Sequence, residues 1–187
     1  MINRIKGVLL LEAATFKEVE HDNNATGQAA LIVIVASILA AIGASSGTFF
    51  SSLAMGHNPW NVSFGSGSAV MIFLGVIFWS IIAWLVWAAV TYFIGSKIFH
   101  GEATYGEMLR VTGFAYAPLA FLILGAISCI GFAISLVISV WALAAVFVGV
   151  REGLDLDVGR TAVTVIAGWF VYLIGMGILV SIFGLLS

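Results

Sequence analysis

VTGFAYAPLAFLILGAISCIGFAISLVISVWALAAVFVGV, from Val111 to Val150, contains no Asp, Glu, Lys, Arg or His and is bracketed by Arg110 and Arg151. A membrane-crossing helix needs about 20 apolar residues, because every backbone N–H and C=O must find an internal partner in hydrocarbon. A run of about 40 is twice that length and predicts two spans joined near Gly125 to Gly131. Both ends of this pair then lie on one side of the membrane, next to Arg110 and Arg151. Working outward, three further charge-free runs are long enough to cross, at 28–46, 69–95 and 161–186. With 111–127 and 130–150 they make five spans. The predicted fold class is therefore an all-α polytopic membrane protein, a five-helix bundle preceded by a short N-terminal amphipathic helix.

Charge placement supports this count. The chain holds seven Lys and Arg and nine Asp and Glu among 187 residues. Arg4, Lys6 and Lys17 precede the first span, Lys97 and Arg110 separate the second and third, and Arg151 and Arg160 separate the fourth and fifth. The acids Glu12, Glu18, Glu20, Asp22, Glu102, Glu107, Glu152, Asp155 and Asp157 fall in the same segments, and the opposite loops carry no formal charge. Positive residues stay in cytoplasmic loops, which puts the N-terminus inside and the C-terminus outside. A prokaryotic cytoplasmic membrane is the default setting.

Composition narrows the function classes. Hydrophobic residues make up 62% of the chain, charged residues 9%, and mean hydropathy is +1.17, values that describe a protein dissolved in lipid. A net charge of -2 offers no basic stripe, so nucleic acid is not an expected partner. Residues 1–27 read as a cytoplasmic interfacial segment and 28–187 as the membrane domain. Arg4 and Lys6 precede an apolar run that Glu12 interrupts with no small-residue cleavage site, which does not fit a signal peptide. Ile2, Ile5, Leu9, Ala13 and Phe16 recur at helical spacing, as in an amphipathic helix lying in the interface.

Local signals mark where helices begin. Thr15-Phe-Lys-Glu18 and Thr104-Tyr-Gly-Glu107 both have capping-box spacing. Asp155 or Asp157 is placed to cap the last helix. Pro118, inside the third span, removes a backbone donor and predicts a kink near Tyr116. Ala36, Ala40 and Ala44, and Gly113 with Ala117, form small-xxx-small patterns that favour close helix contact.

No expected span contains an ionisable relay residue, which argues against ion-coupled transport. Ser37, Ser80, Thr91, Thr112, Ser135, Ser139 and Thr164 can each bond to a carbonyl of their own helix. Gly43-Ala-Ser-Ser-Gly47 matches a nucleophile-elbow pattern, but that motif works on a strand-to-helix turn and no base accompanies it here. His21, His57 and His100 are too scattered to share a metal. Cys129 has no partner for a disulfide and reads as a packing residue. Asn58-Pro59-Trp60 reads as an outer-loop turn, and Asn61-Val62-Ser63 is a chance sequon. No catalytic residue, cofactor or metal is expected.

The segment Gly101-Glu-Ala-Thr-Tyr-Gly-Glu-Met-Leu-Arg-Val-Thr-Gly-Phe-Ala-Tyr-Ala-Pro118 resembles the Yip domain family, the Ypt-interacting proteins with five membrane spans. Lys6-Gly-Val-Leu with Thr15-Phe-Lys-Glu18, the span Ala29 to Ala41, and the Arg151 to Arg160 loop before a Gly-rich last helix are similar to prokaryotic members. The resemblance implies a non-enzymatic membrane protein that organises partners or lipid. Eukaryotic relatives bind prenylated Rab-type GTPases. This chain lacks the Asp-Leu-Tyr-Gly-Pro motif of that branch and keeps only Tyr105-Gly106, so a Rab-type partner is not carried over.

Two readings of function follow. In the first, a cytoplasmic face of Glu102, Tyr105, Glu107, Arg110, Arg151, Glu152, Asp155 and Asp157 contacts other membrane proteins or further copies of the chain, and the protein is a scaffold in the lipid bilayer. The alternative is a passive channel, permease or lipid-handling protein in which Thr112, Tyr116, Pro118 and Ser139 line a cavity.

Overall fold

The computed structural model describes residues 1–54, 69–126 and 130–185. The expected outer-loop turn, the sequon, His57 and Cys129 lie outside these residues. Helices α1 (Ile2–Leu9) and α2 (Ala13–His21) precede the long helix α3 (Ala25–Ala54). Helix α4 (Ala69–Tyr92) runs into a π-helical turn, Phe93–Ile98. Helix α5 (Tyr105–Phe114) continues as a 3-10 arm, Ala117–Ala126, and α6 (Gly131–Leu154) and α7 (Val158–Leu185) complete the chain. Among the described residues there is no strand.

Five helical segments are long and apolar enough to cross a membrane: Ala25–Ser46, Phe73–Ile98, Tyr105–Ala126, Gly131–Leu154 and Val158–Gly175. The helix of the third segment begins at Tyr105, six residues before the charge-free run, because Thr104 caps it. It is also the centre of the bundle: half of its apolar window is buried, against 22% for the last span. It packs against α3, α4 and α6.

Pro118 explains the shape of that span. Its ring would collide with the carbonyl four residues earlier, at Phe114, and α5 ends there. Ala115 and Tyr116 form a turn, closed by the Tyr116 N–H on Gly113 O at 3.2 Å, and the chain resumes as the 3-10 arm. The arm and α6 lie side by side, so the third and fourth spans form the expected adjacent pair.

Small residues bring α3 against this centre, with a spacing other than the expected one. Ala29 and Ala36 are buried, whereas Ala40 is half-buried and Ala44 exposed. The buried positions continue seven residues on, at Gly43, where a Cβ would lie 2.1 Å from the Leu122 carbonyl oxygen. A stripe of period seven follows one side of a straight helix more closely than one of period four, which drifts around it. The Gly43-Ala-Ser-Ser-Gly47 stretch lies inside α3, where Ser46 Oγ donates to Gly43 O at 2.7 Å.

The N-terminal segment is two helices, not one. Leu11 adopts φ 59 and the chain reverses between Leu9 and Ala13. Thr15 does not start a helix; Glu12 is the N-cap of α2, and the Thr15 hydroxyl donates to its carboxylate at 3.3 Å. Val8, Phe16 and Val19 are fully buried and join the core formed by Met108, Val111, Phe114, Val150 and Leu154.

Candidate functional site at the charged end of the bundle

The ends of α2, α5, α6 and the turn after the π-helix meet at one end of the molecule. There the capping box predicted at Thr104 forms in full. The Glu107 N–H donates to Thr104 Oγ1 at 3.3 Å, and the Thr104 N–H donates to Glu107 Oε2 at 2.7 Å. This satisfies two of the N–H groups that a helix start leaves free.

Arg110, one turn further on, is only 6% exposed. A buried charge is costly unless hydrogen-bonded, and the guanidinium meets that need at the Glu20 carbonyl, 3.0 Å from Nε and 2.5 Å from Nη2. Glu107 Oε1 stands 3.9 Å away. Arg110 therefore fastens α2 to α5 and is not on the exposed face with which the sequence grouped it. Tyr105 stays exposed, at 38%, while its hydroxyl donates to Leu85 O at 3.2 Å and its ring meets Tyr92 edge-on at 6.2 Å.

Glu20 is itself buried, and its Oε2 has no hydrogen-bond donor among the described residues. Lys17 Nζ approaches to 3.6 Å and His21 Nδ1 to 3.9 Å. Burial pushes the Glu20 carboxyl above the ordinary range, against the pull of Lys17 and His21, while Asp155 and Glu107 push it further up. Lys17 also bonds Asp155 at 2.5 Å, joining α2 to the end of α6.

Asp155 ends α6 in the left-handed conformation, φ 50, and does not cap the last helix. That task falls to Asp157, whose Oδ1 accepts from the Arg160 N–H at 3.0 Å while Oδ2 pairs with Arg160 Nε at 3.1 Å. Leu154, fully buried, plugs the gap beneath: a Cβ at Gly95 would lie 2.3 Å from its Cδ1, and one at Gly101 2.7 Å from its carbonyl oxygen. The Gly101–Glu102 turn is thus laid against the end of α6. Glu102 and Arg151 remain exposed there, with Arg151 held only loosely by Glu152 at 3.9 Å.

Of the candidate cavity residues, Thr112, Tyr116 and Pro118 lie on the third span and Ser139 on α6. Thr112 is buried and donates to Met108 O at 2.6 Å, while Ser139 is exposed on α6 and donates to Ser135 O at 2.8 Å. Tyr116 reaches Ser80 O at 3.4 Å, and Pro118 is buried at the kink. Ser37, Thr91 and Thr164 also bond to their own helices. Two shallow grooves, one between the 3-10 arm and α6 and one between α4 and α7, are lined almost wholly by apolar and aromatic residues. Among the described residues no group of His, Cys, Asp and Glu could hold a metal ion.

Sequence reading missed Lys17, Glu20 and Leu154. Glu20 shares a helical face with Phe16, the one available hint; the partner of Arg110 is a main-chain carbonyl, which leaves no mark in the sequence.

Five apolar spans, a kinked central one and a capped charged end define an integral helical membrane protein. The sequence pattern of the Yip1 domain matches residues 6–180, and the chain belongs to the Yip1 domain family. No curated protein and no solved structure matches it.

Proposed function

We propose that this protein is a non-catalytic organiser of membrane partners that acts through its charged end, with that end in the cytoplasm and the C-terminus outside. The observation that carries the reading is a division of labour among the charged residues. Arg110, Lys17 and Asp155 are spent on fastening helices together, Asp157 caps α7, and Leu154 locks the Gly101 turn. Glu102 and Arg151 stand exposed on the surface so stiffened. A surface held rigid before contact loses less entropy on binding a partner.

The channel alternative draws less support, because the described hydroxyls inside the spans mostly bond to their own helices. A photo-crosslinking side chain at Glu102, with Phe132 on the exposed face of α6 as control, tests the proposal in intact membranes. Discrete products from position 102 that the R151A variant loses are expected. The same products from both positions would overturn it.

A further inference from the structure

The α1–α2 hairpin has a marked polarity along its length. At its open end Arg4 bonds Glu18 and Asp22, each at 2.8 Å. At its elbow the sequence is Val8-Leu-Leu-Leu11, with Leu10 71% exposed. The two helices touch closely, since a Cβ at Gly7 would lie 2.0 Å from Thr15 Oγ1.

The position of the elbow is set by a hydrogen bond. The Trp141 indole N–H donates to Leu9 O at 3.1 Å, and the Trp141 ring stacks on Phe121 at 5.6 Å. Both aromatics lie within the charge-free run that spans the membrane. Trp141 is ten positions before Arg151, the first charge on α6, or about 15 Å along the helix axis. An exposed leucine beside that level has acyl chains as its surroundings, not water.

We infer that the α1–α2 hairpin is a re-entrant wedge whose elbow inserts Leu10 among the lipid chains of the leaflet at the charged end, with Leu9 and Leu11 packed against the core beneath it. The partner surface is the acyl region of that one leaflet. Its backbone at the bend is tolerated at that depth because the bend is bonded: Leu11 N–H to Val8 O at 3.0 Å, Glu12 N–H to Gly7 O at 2.9 Å, and Leu9 O to Trp141. Glu12 is the charge nearest the elbow, and the Thr15 hydroxyl donates to its carboxylate.

The test uses the full chain with Cys129→Ser and a single cysteine, L10C or E18C, carrying a polarity-sensitive fluorophore in phosphatidylcholine–phosphatidylglycerol vesicles. Spin-labelled acyl chains should quench the label at position 10 several-fold more than at position 18, and aqueous iodide should do the reverse. Iodide quenching at position 10 equal to that at position 18 would place the elbow in water and overturn the inference. Protection at position 10 from both quenchers would mean that protein covers it, a second copy included, and would overturn it equally. The E12Q variant should increase quenching by lipid at position 10; no change or a decrease would count against insertion.

Discussion

Arg110 donates two hydrogen bonds to the main-chain carbonyl of Glu20, ninety positions earlier in the chain. Hydrogen bonds from a charged donor contribute about 1.5–3 kcal/mol each, and this fork is buried. Replacing Arg110 with Met should therefore cost about 2 kcal/mol or more and lower the thermal midpoint in detergent. Replacing it with Lys keeps the charge but loses the planar fork, and should recover only part of the loss. Hydrogen exchange of residues 13–21 should rise in both variants, more in R110M.

The Thr104–Glu107 box predicts an ordered pair of effects. Thr104→Ala removes the side-chain acceptor of the N-cap and should cost about 1 kcal/mol. Glu107→Gln keeps a group that can accept from the Thr104 N–H, so its cost should be smaller. Differential scanning fluorimetry in detergent would measure both, and a larger loss for E107Q would contradict the box as the main role of Glu107.

Glu20 makes stability depend on pH in a definite direction. Its carboxyl is held above the ordinary range by burial, so the folded state binds the proton more tightly than the unfolded one. Its favourable contribution is present at low pH and is lost as pH rises from the ordinary carboxylate range through the raised value. Asp22 works the other way: the bond from Arg4 lowers its pKa, and its contribution is lost only as pH falls through that depressed value. Comparing wild type with E20Q isolates the first effect. The two should converge near about pH 4.5, and E20Q should become the more stable as pH rises to about 8. A constant gap would remove Glu20 as the cause.

Much of this architecture was legible because membrane solvation is a strict filter. Charge-free runs of sufficient length, Pro118 and the Thr104–Glu107 spacing each express a local rule, and the structure shows spans, a kink and a box at those places. Where a local rule had two users, sequence could not choose: Thr15 and Glu18 have the right spacing, yet Glu12 takes the cap three residues earlier. The break at Leu11 was hidden because a positive φ at leucine has no sequence signature, and one of the bonds that hold the bend comes from Trp141, far along the chain. At the candidate site, identity was readable but burial was not. Arg110 and Arg151 look alike as loop cations, but the first is enclosed by α2 and the second is exposed.

The proposed orientation can be read with reporters. The seven cations fall in three segments at one end, so fusions after Gly101 or Gly153 should report inside and one after Ser187 outside. An inside signal after Ser187 would defeat the proposed orientation.

The contact between α3 and the kinked span offers the sharpest test of the packing. A Cβ at Gly43 would fall 2.1 Å from Leu122 O, with the Leu122 carbonyl carbon at 2.9 Å, so the obstacle is backbone and cannot rotate away. Gly43→Ala should therefore force the helices apart and cost about 1–3 kcal/mol, as overpacking typically does. Gly75, in α4, has nothing within 4 Å of the same position. Gly75→Ala should be neutral or stabilise by up to about 1 kcal/mol through reduced freedom of the unfolded chain. The pair separates packing from helix propensity, since both changes raise propensity equally. If the two variants shift the thermal midpoint in the same direction and by similar amounts, the close approach of α3 to the 3-10 arm is wrong. If only Gly43→Ala lowers it, and a single cysteine placed in the arm becomes more reactive to a membrane-permeant maleimide in that background, the approach is the one described.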